Sequence, residues 1–325
     1  MQHERTTEHT TRAERETMGR LAQLISRFAD VMPLQPAYTF ADRVGDLAYH
    51  LLPHYRQNVL HNVATAFDLS LDSPDVERIA RQIFRTSARN FLDLLRVPSL
   101  SDAEIIRSIW VDPAQWATVE SLQQQGRGAV VVTAHLGAFD YVGQLLAARR
   151  LPFVALTART VPHLVDAAVL QLRSSRGLRL ERVSPVGLRR AIQALRRGEF
   201  VGMVADHDFS GRGELVPFFG KATILPLGPV RLARAVNAPI LAAFARRLAR
   251  GYQLIIEPPF YVEQTADAQR DLRRALLRIA TVLEASIRQT PGQWVTFQRV
   301  WPEQRPQFMP MPFALGEAER FAHYY

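Results

Sequence analysis

His135 and Asp140, spaced His-x4-Asp, begin where the short β-branched run Gly128–Ala134 ends. A histidine where a buried strand gives way to a helix sits at the carboxyl end of an α/β sheet, where ligands bind. Asp140, in the first turn of the helix that follows, can fold back toward the imidazole. A carboxylate on one ring nitrogen fixes the tautomer and raises the basicity of the other, which can then accept a proton from a hydroxyl. The amides of Gly137 and Ala138, at the same helix start, suit a developing oxyanion. The bland alternative is a core histidine bonded to a backbone carbonyl, with Asp140 serving only the helix dipole.

A second cluster, Asp206-His207-Asp208, follows the apolar run 200–205 and so falls at the carboxyl end of another strand. These side chains can orient a substrate, support a basic site or bind a metal. Equally, aspartates beside Ser210, Gly211 and Gly213 can simply close a turn. The stretch 214–229, from Glu214 through Phe218 and Phe219 to Pro229, is apolar yet reads as loop, suited to an acyl chain or to the core. Arg173 and Arg176 end a helix and can clamp phosphate, or merely complement the helix dipole.

The elements that must position these groups follow from periodicity. Residues 1–16 carry mixed charge and no pattern, and are expected to form a mobile tail. From 18 to 108 the pattern is helical: Leu21, Leu24, Ile25 and Phe28 recur at three- and four-residue spacing, as do Ile79, Ile83, Phe84, Phe91 and Leu95. Ser73 before Pro74 is a helix start with its own cap. Thereafter strands are predicted at 128–134, 153–157, 180–183, 200–205, 240–246 and 252–256. Helices are predicted at 138–150, 163–176, 187–197, 229–236 and 267–289. Strands alternating with helices imply an α/β sheet covered on both faces. The expected divisions are the tail 1–16, an N-terminal helical, membrane-facing part 17–110, an α/β core 111–305 and a C-terminal tail 306–325.

Composition removes some chemistries. The 325 residues contain no cysteine, so thiolate zinc, iron–sulfur clusters, disulfides and a cysteine nucleophile are excluded. The formal charge is +9, carried by arginine, since Lys221 is the sole lysine. Such a balance favours anionic lipids, nucleic acids or phosphorylated ligands alike, or reflects compositional bias alone. No signal peptide or membrane-spanning run is evident, which points to a cytosolic or peripheral protein. Nor is there an aromatic-interleaved basic stripe of the kind that reads nucleic acid.

Taken together, His135-x4-Asp140, the segment Val204-Ala205-Asp206-His207-Asp208 and Val216-Pro217-Phe218-Phe219-Gly220 form an ordered series with Pro226-x-Gly228-Pro229 and the run from Pro291 to Trp301. The series resembles the bacterial lipid A lauroyl/myristoyl acyltransferase family, and more so its actinobacterial branch, the phosphatidylinositol mannoside acyltransferases. The run from Ala88 to Leu95 looks like the family's upstream signature, and the likeness covers roughly residues 35–302. The resemblance implies a glycerolipid acyltransferase-type α/β sandwich: a central, mostly parallel sheet flanked by helices, with an N-terminal helical cap. It implies His135 as general base, Asp140 as the acid that orients it, and a further glutamate, for which Glu214 is the nearest candidate. Gly137, Arg173, Arg176, Asp206, Asp208 and Glu214 are the candidate substrate-binding residues.

The implied reaction carries a fatty acyl group from acyl-CoA or acyl-carrier protein to a hydroxyl of a lipid or glycolipid. It needs no bound cofactor and no metal. The family's lipid A branch often begins with a spanning helix; without one, attachment would be peripheral, at the cytoplasmic face of the inner membrane and on anionic lipid. Two other readings are a metal-dependent hydrolase built on His135, Asp206, His207 and Asp208, and a non-catalytic basic lipid-binding protein.

Overall fold

A computed structural model describes residues 33–158, 163–209 and 211–301. The expected tails 1–16 and 306–325, and the helical pattern of Leu21 to Phe28, lie outside the described residues. The described chain opens with α1 (Leu34–Leu51), α2 (Pro53–Phe67) and α3 (Pro74–Arg96). Ser73 caps α3 as expected, its hydroxyl accepting from the amide of Asp75, with Pro74 in the first turn. Helix α1 lies close on α3 because Gly45 has no side chain: a Cβ there would sit 2.6 Å from the Cα of Arg85.

A short α4 (Asp102–Ser108) then leads straight into β1 (Ile109–Val111), followed by α5 (Pro113–Gln124). Neither β1 nor α5 was expected from periodicity, and the expected 110/111 division falls inside β1. Three residues are too few to show alternation, and α5 is only weakly amphipathic: Trp116, Val119 and Leu122 are its buried residues.

The remainder alternates as predicted. In order come β2 (Val130–Thr133), α6 (Phe139–Ala148), β3 (Phe153–Thr157), α7 (His163–Ser174), β4 (Arg179–Arg182), α8 (Pro185–Arg196) and β5 (Phe200–Val204). Then follow β6 (Glu214–Phe218), β7 (Lys221–Leu225), α9 (Gly228–Val236), β8 (Ile240–Arg247), β9 (Tyr252–Ile256) and α10 (Ala268–Gln289). Seven strands form one sheet in the order β1-β9-β8-β2-β5-β3-β4, parallel throughout except for the β8–β9 hairpin. This is the mostly parallel, helix-flanked α/β sandwich that was expected. The stretch expected as loop after Glu214 is instead an antiparallel hairpin, β6–β7, outside the main sheet. Its Pro217 and its Phe219–Gly220 turn obscured the strand pattern.

Val130 and Val132 of β2 face a core shared with α8, α9 and α10, while Ala129, Phe200 and Leu241 face a second core with α4, α5 and α6. β2 is therefore buried on both sides, as its unbroken β-branched sequence requires. A third cluster joins α1, α2 and α3 to Val295 and Phe297 near the far end of the described chain.

Residues 291–300 cross the carboxyl ends of the strands as an irregular strap. Asn62 of α2, buried, donates to the carbonyls of Thr296 (3.3 Å) and Gln298 (2.7 Å) and accepts from the amide of Val300 (3.0 Å). Asn58 donates to the Phe297 carbonyl, and Thr86 of α3 to that of Gly292. The N-terminal helices thus grip this strap.

Candidate active site

β2 and β5 are parallel neighbours, with Thr133 abreast of Val204. Extending that pairing two residues past both strand ends sets His135 beside Asp206. The side chains meet there: His135 Nδ1 lies 2.8 Å from Asp206 Oδ1, with the carboxylate fully buried and the imidazole about a quarter exposed. Since an ionised carboxylate only accepts, Nδ1 carries the proton and the lone pair is on Nε2. The second carboxylate oxygen accepts from three donors: the His135 amide (3.0 Å), Trp294 Nε1 (2.8 Å) and Thr296 Oγ1 (3.2 Å).

Burial alone would push the Asp206 pKa up. The charge and hydrogen bond of His135, helped by Trp294, outweigh it and bring the group down to about 2. For His135 burial acts downward, but the charge and bond of Asp206, with a smaller contribution from Asp140, leave its pKa above the ordinary histidine value. His207, alongside, is pushed the other way by burial. The His135 ring is edge-on to Phe139 and Phe209, and Phe209 packs on His207 as well, so the imidazole has an aromatic wall.

The carboxylate bonded to His135 is that of Asp206 and not, as expected, that of Asp140. Asp140 lies in the first turn of α6, and its carboxylate is paired with Arg173, whose Nη2 donates to Oδ2 at 2.9 Å while Nε lies 2.7 Å from Oδ1. It reaches His135 through its field only. Sequence reading favoured the residue near in the chain. The partner distant in the chain is brought abreast by strand register, which the sequence does not display.

Gly137 also differs from expectation. Its amide donates to the carbonyl of Gln293 (2.8 Å) and is therefore committed to the fold rather than to an oxyanion. The residue has φ +58°, and a Cβ would lie 2.3 Å from the carbonyl oxygen of Ala245, so only glycine fits this turn. The start of α6, immediately beyond, still leaves first-turn amides pointing out of the helix end.

Arg173 is placed beside the site through Asp140, whereas Arg176 is turned away, bonded to the Leu100 carbonyl and to Asp102. Asp208 accepts from the Gly213 amide (3.1 Å), the turn-closing role. Glu214 begins β6 and is bonded to Arg273 of α10 rather than to His135. Of the apolar side chains after it, Val216, Phe218 and Leu225 are fully buried while Leu215 is exposed; Phe218 stacks on Trp301, and Phe219 stacks on Trp294. Among the described residues no set of three or more His, Asp or Glu side chains is arranged to hold a metal ion.

A cavity of about 770 Å³ opens behind the Gly137 turn, lined by Arg78, Arg81, Arg85, Arg89, Arg247 and Gln293 among others. Its arginines are paired with Asp75, Glu77, Asp46, Asp42 and Asp93. The residues missed by sequence reading are Trp294 and Thr296, which brace Asp206. Their signal was present in the 291–301 run, but only as part of a family likeness.

A family model described as bacterial lipid A biosynthesis acyltransferase matches residues 10–303. The phosphatidylinositol mannoside acyltransferase of Mycobacterium tuberculosis is 24% identical over 217 residues, 66% of this chain and 67% of that protein. That of Mycolicibacterium smegmatis is 23% identical, over 71% of this chain and 74% of its own length. The lipid A biosynthesis lauroyltransferase of Escherichia coli is 23% identical over 86% of this chain and 89% of that protein.

Proposed function

Since the chain belongs to the bacterial lipid A biosynthesis acyltransferase family, we propose that it transfers a fatty acyl group from a thioester donor to a glycolipid hydroxyl at a membrane surface, with His135 as general base. It is an acyltransferase of lipid biosynthesis; the donor, the base and the place of action are our reading. One observation carries it: a partly exposed imidazole whose Nδ1 is bonded to a buried, fully engaged carboxylate, which leaves Nε2 as acceptor.

His135 Nε2 takes the proton of the acceptor hydroxyl as its oxygen attacks the thioester carbonyl. The imidazolium that forms is stabilised by the Asp206 charge beside it. The tetrahedral oxyanion lies against the first-turn amides at the start of α6, where the helix dipole is positive. Collapse breaks the carbon–sulfur bond, and the imidazolium returns its proton to the thiolate. The products are an ester and a free thiol, with no covalent acyl-enzyme. The Arg173–Asp140 pair shapes the field around the ring and presents a guanidinium edge near the donor's path. The donor is acyl-CoA or acyl-carrier protein, both of which place the reaction on the cytoplasmic side.

Support for the membrane surface comes from α1. Phe40, Val44, Leu47 and Leu51 recur along one face and are 63%, 43%, 57% and 66% exposed, an unusual array of large apolar groups in water. Leu52 and Tyr55 extend it, and the exposed Arg43 lies beside it. An apolar face bordered by cations suits the headgroup region of an anionic bilayer. Among the described residues no helix is long and apolar enough to cross a membrane.

The test is acyl transfer from labelled acyl-CoA to a glycolipid extract, followed by mass spectrometry of the lipids. The parent should form an acylated glycolipid, and His135→Ala should be slower by about a hundred- to ten-thousandfold while remaining folded. Transfer by His135→Ala at the parent rate would overturn the assignment.

A further inference from the structure

The turn that carries His135 is held by a half-buried polar network. Asn90 of α3 donates its amide to the Gly137 carbonyl (2.6 Å), while its own oxygen accepts from Arg247 Nη2 (2.7 Å). Arg247, on β8, is also bonded to Asp93 and, at 3.1 Å, to the hydroxyl of Tyr38. That hydroxyl donates to Asp93 (2.8 Å) and meets Tyr252 (2.9 Å). The backbone of Arg247 is tied at both its amide and its carbonyl to the side chain of Gln293, whose own carbonyl accepts from Gly137.

The two ends of the Asn90 amide each have one workable role. The Arg247 guanidinium only donates, so the oxygen of Asn90 must face it and the NH2 must face Gly137. Asp93 and Arg247 are buried with their charges matched, so the fork is fixed in place. Arg247 therefore orients Asn90, and Asn90 sets the height of the Gly137 carbonyl, two residues from the imidazole.

We propose that Asn90, aimed by Arg247, is a positioning residue of the acyl-transfer reaction. It holds the turn 135–138 so that the imidazole of His135 and the first amides of α6 converge on one carbonyl. The inference rests on the acyltransferase reading for its kinetic consequence, though not for its geometry. Asn90 touches no reacting atom; its effect passes through the turn.

Asn90→Asp tests it with almost no change of shape. The aspartate keeps the bond to Arg247 but sets a second acceptor against the Gly137 carbonyl, reversing one interaction. A misplacement of about 1 Å can cost on the order of a hundredfold in rate. Asn90→Asp should lower kcat tenfold to a hundredfold, with the KM for acyl-CoA within twofold of the parent and with an intact folded fraction. The NMR titration of the His135 imidazole, assigned by its loss in His135→Ala and read without substrate in the uncharged Asn90→Leu so that no new carboxylate acts on the ring, should shift downward as the Asp206 bond loosens.

A parent-like kcat with a parent-like titration overturns the proposal. So does a loss of rate that merely follows the unfolded fraction, or one carried by KM. If His135→Ala proves as active as the parent, the acyltransferase assignment fails, and the titration alone then decides whether Asn90 positions the ring.

Discussion

At the scale of the residue, one carboxylate does two things to one imidazole: it selects the tautomer and it raises the proton affinity. Asp206 accepts four hydrogen bonds, one on Oδ1 and three on Oδ2, and so cannot rotate away when the ring changes charge. Because the His135 pKa is raised, the neutral form that a general base needs accumulates only as pH climbs above the ordinary histidine value. The acid limb of a kcat/KM profile should therefore lie above 6.5. Asp206→Asn removes the charge and should move that limb to lower pH while lowering the plateau. A limb that stays in place would mean Asp206 is not what sets it. By linkage, the raised pKa adds stability below the unfolded-state value, and this is lost as pH rises through the folded-state value. Gly137 belongs at this scale as well. With positive φ and Ala245 against it, Gly137→Ala should cost several kcal/mol, seen as a lowered midpoint in urea.

At the scale of elements, the site is made where two parallel strands end and a strap crosses them. The strap is pinned by Asn62, whose three bonds in a buried setting have no replacement in Asn62→Ala. That substitution should destabilise the fold by about 2–4 kcal/mol, read from urea unfolding at constant m-value. It should also cost activity beyond the unfolded fraction, since Trp294 and Thr296 would lose their hold on Asp206. Much of this level was legible beforehand. The strands at 153–157 and 252–256 were placed to the residue, and the helices after residue 128 to within a few positions, because their apolar periodicity is strong. What escaped was non-local. Nothing in the local pattern of residues 135 to 140 shows that β5 lies beside β2, so the near aspartate is expected at the imidazole where the distant one stands. The β6–β7 hairpin escaped because Pro217 and Gly220 look like loop punctuation, although Val216, Phe218 and Leu225 pack into the core. For Arg176 both alternatives stay open in the sequence, because cations near a helix end carry no mark of whether they face a ligand or another loop; in the structure it is bonded to the Leu100 carbonyl and to Asp102.

At the scale of the whole molecule, α1 has two working faces. One, with Ala37, Ala41, Gly45 and Tyr49, is buried against the protein; the other carries Phe40, Val44, Leu47 and Leu51 into solvent. Large apolar side chains are worth roughly 1.5–3 kcal/mol each when removed from water. Phe40→Asp with Leu47→Asp should thus weaken co-sedimentation with phosphatidylglycerol vesicles at least tenfold, while leaving transfer to a detergent-dispersed acceptor near the parent rate. Added salt should weaken the parent's binding too, since the net charge of +9 contributes through a screened attraction. Unchanged sedimentation of the double variant would remove α1 from the docking surface.

The bracing of Asp206 by Trp294 and Thr296 also has a bearing on biosynthesis. A chain emerging from the ribosome exposes its histidine and aspartate long before it has made the indole and hydroxyl that hold them still. Until residues 294–296 are made and fold back, the Asp206 carboxylate lacks two of its four hydrogen bonds. The pair of His135 and Asp206 is therefore completed only when a segment 88 residues further along the chain folds back onto it.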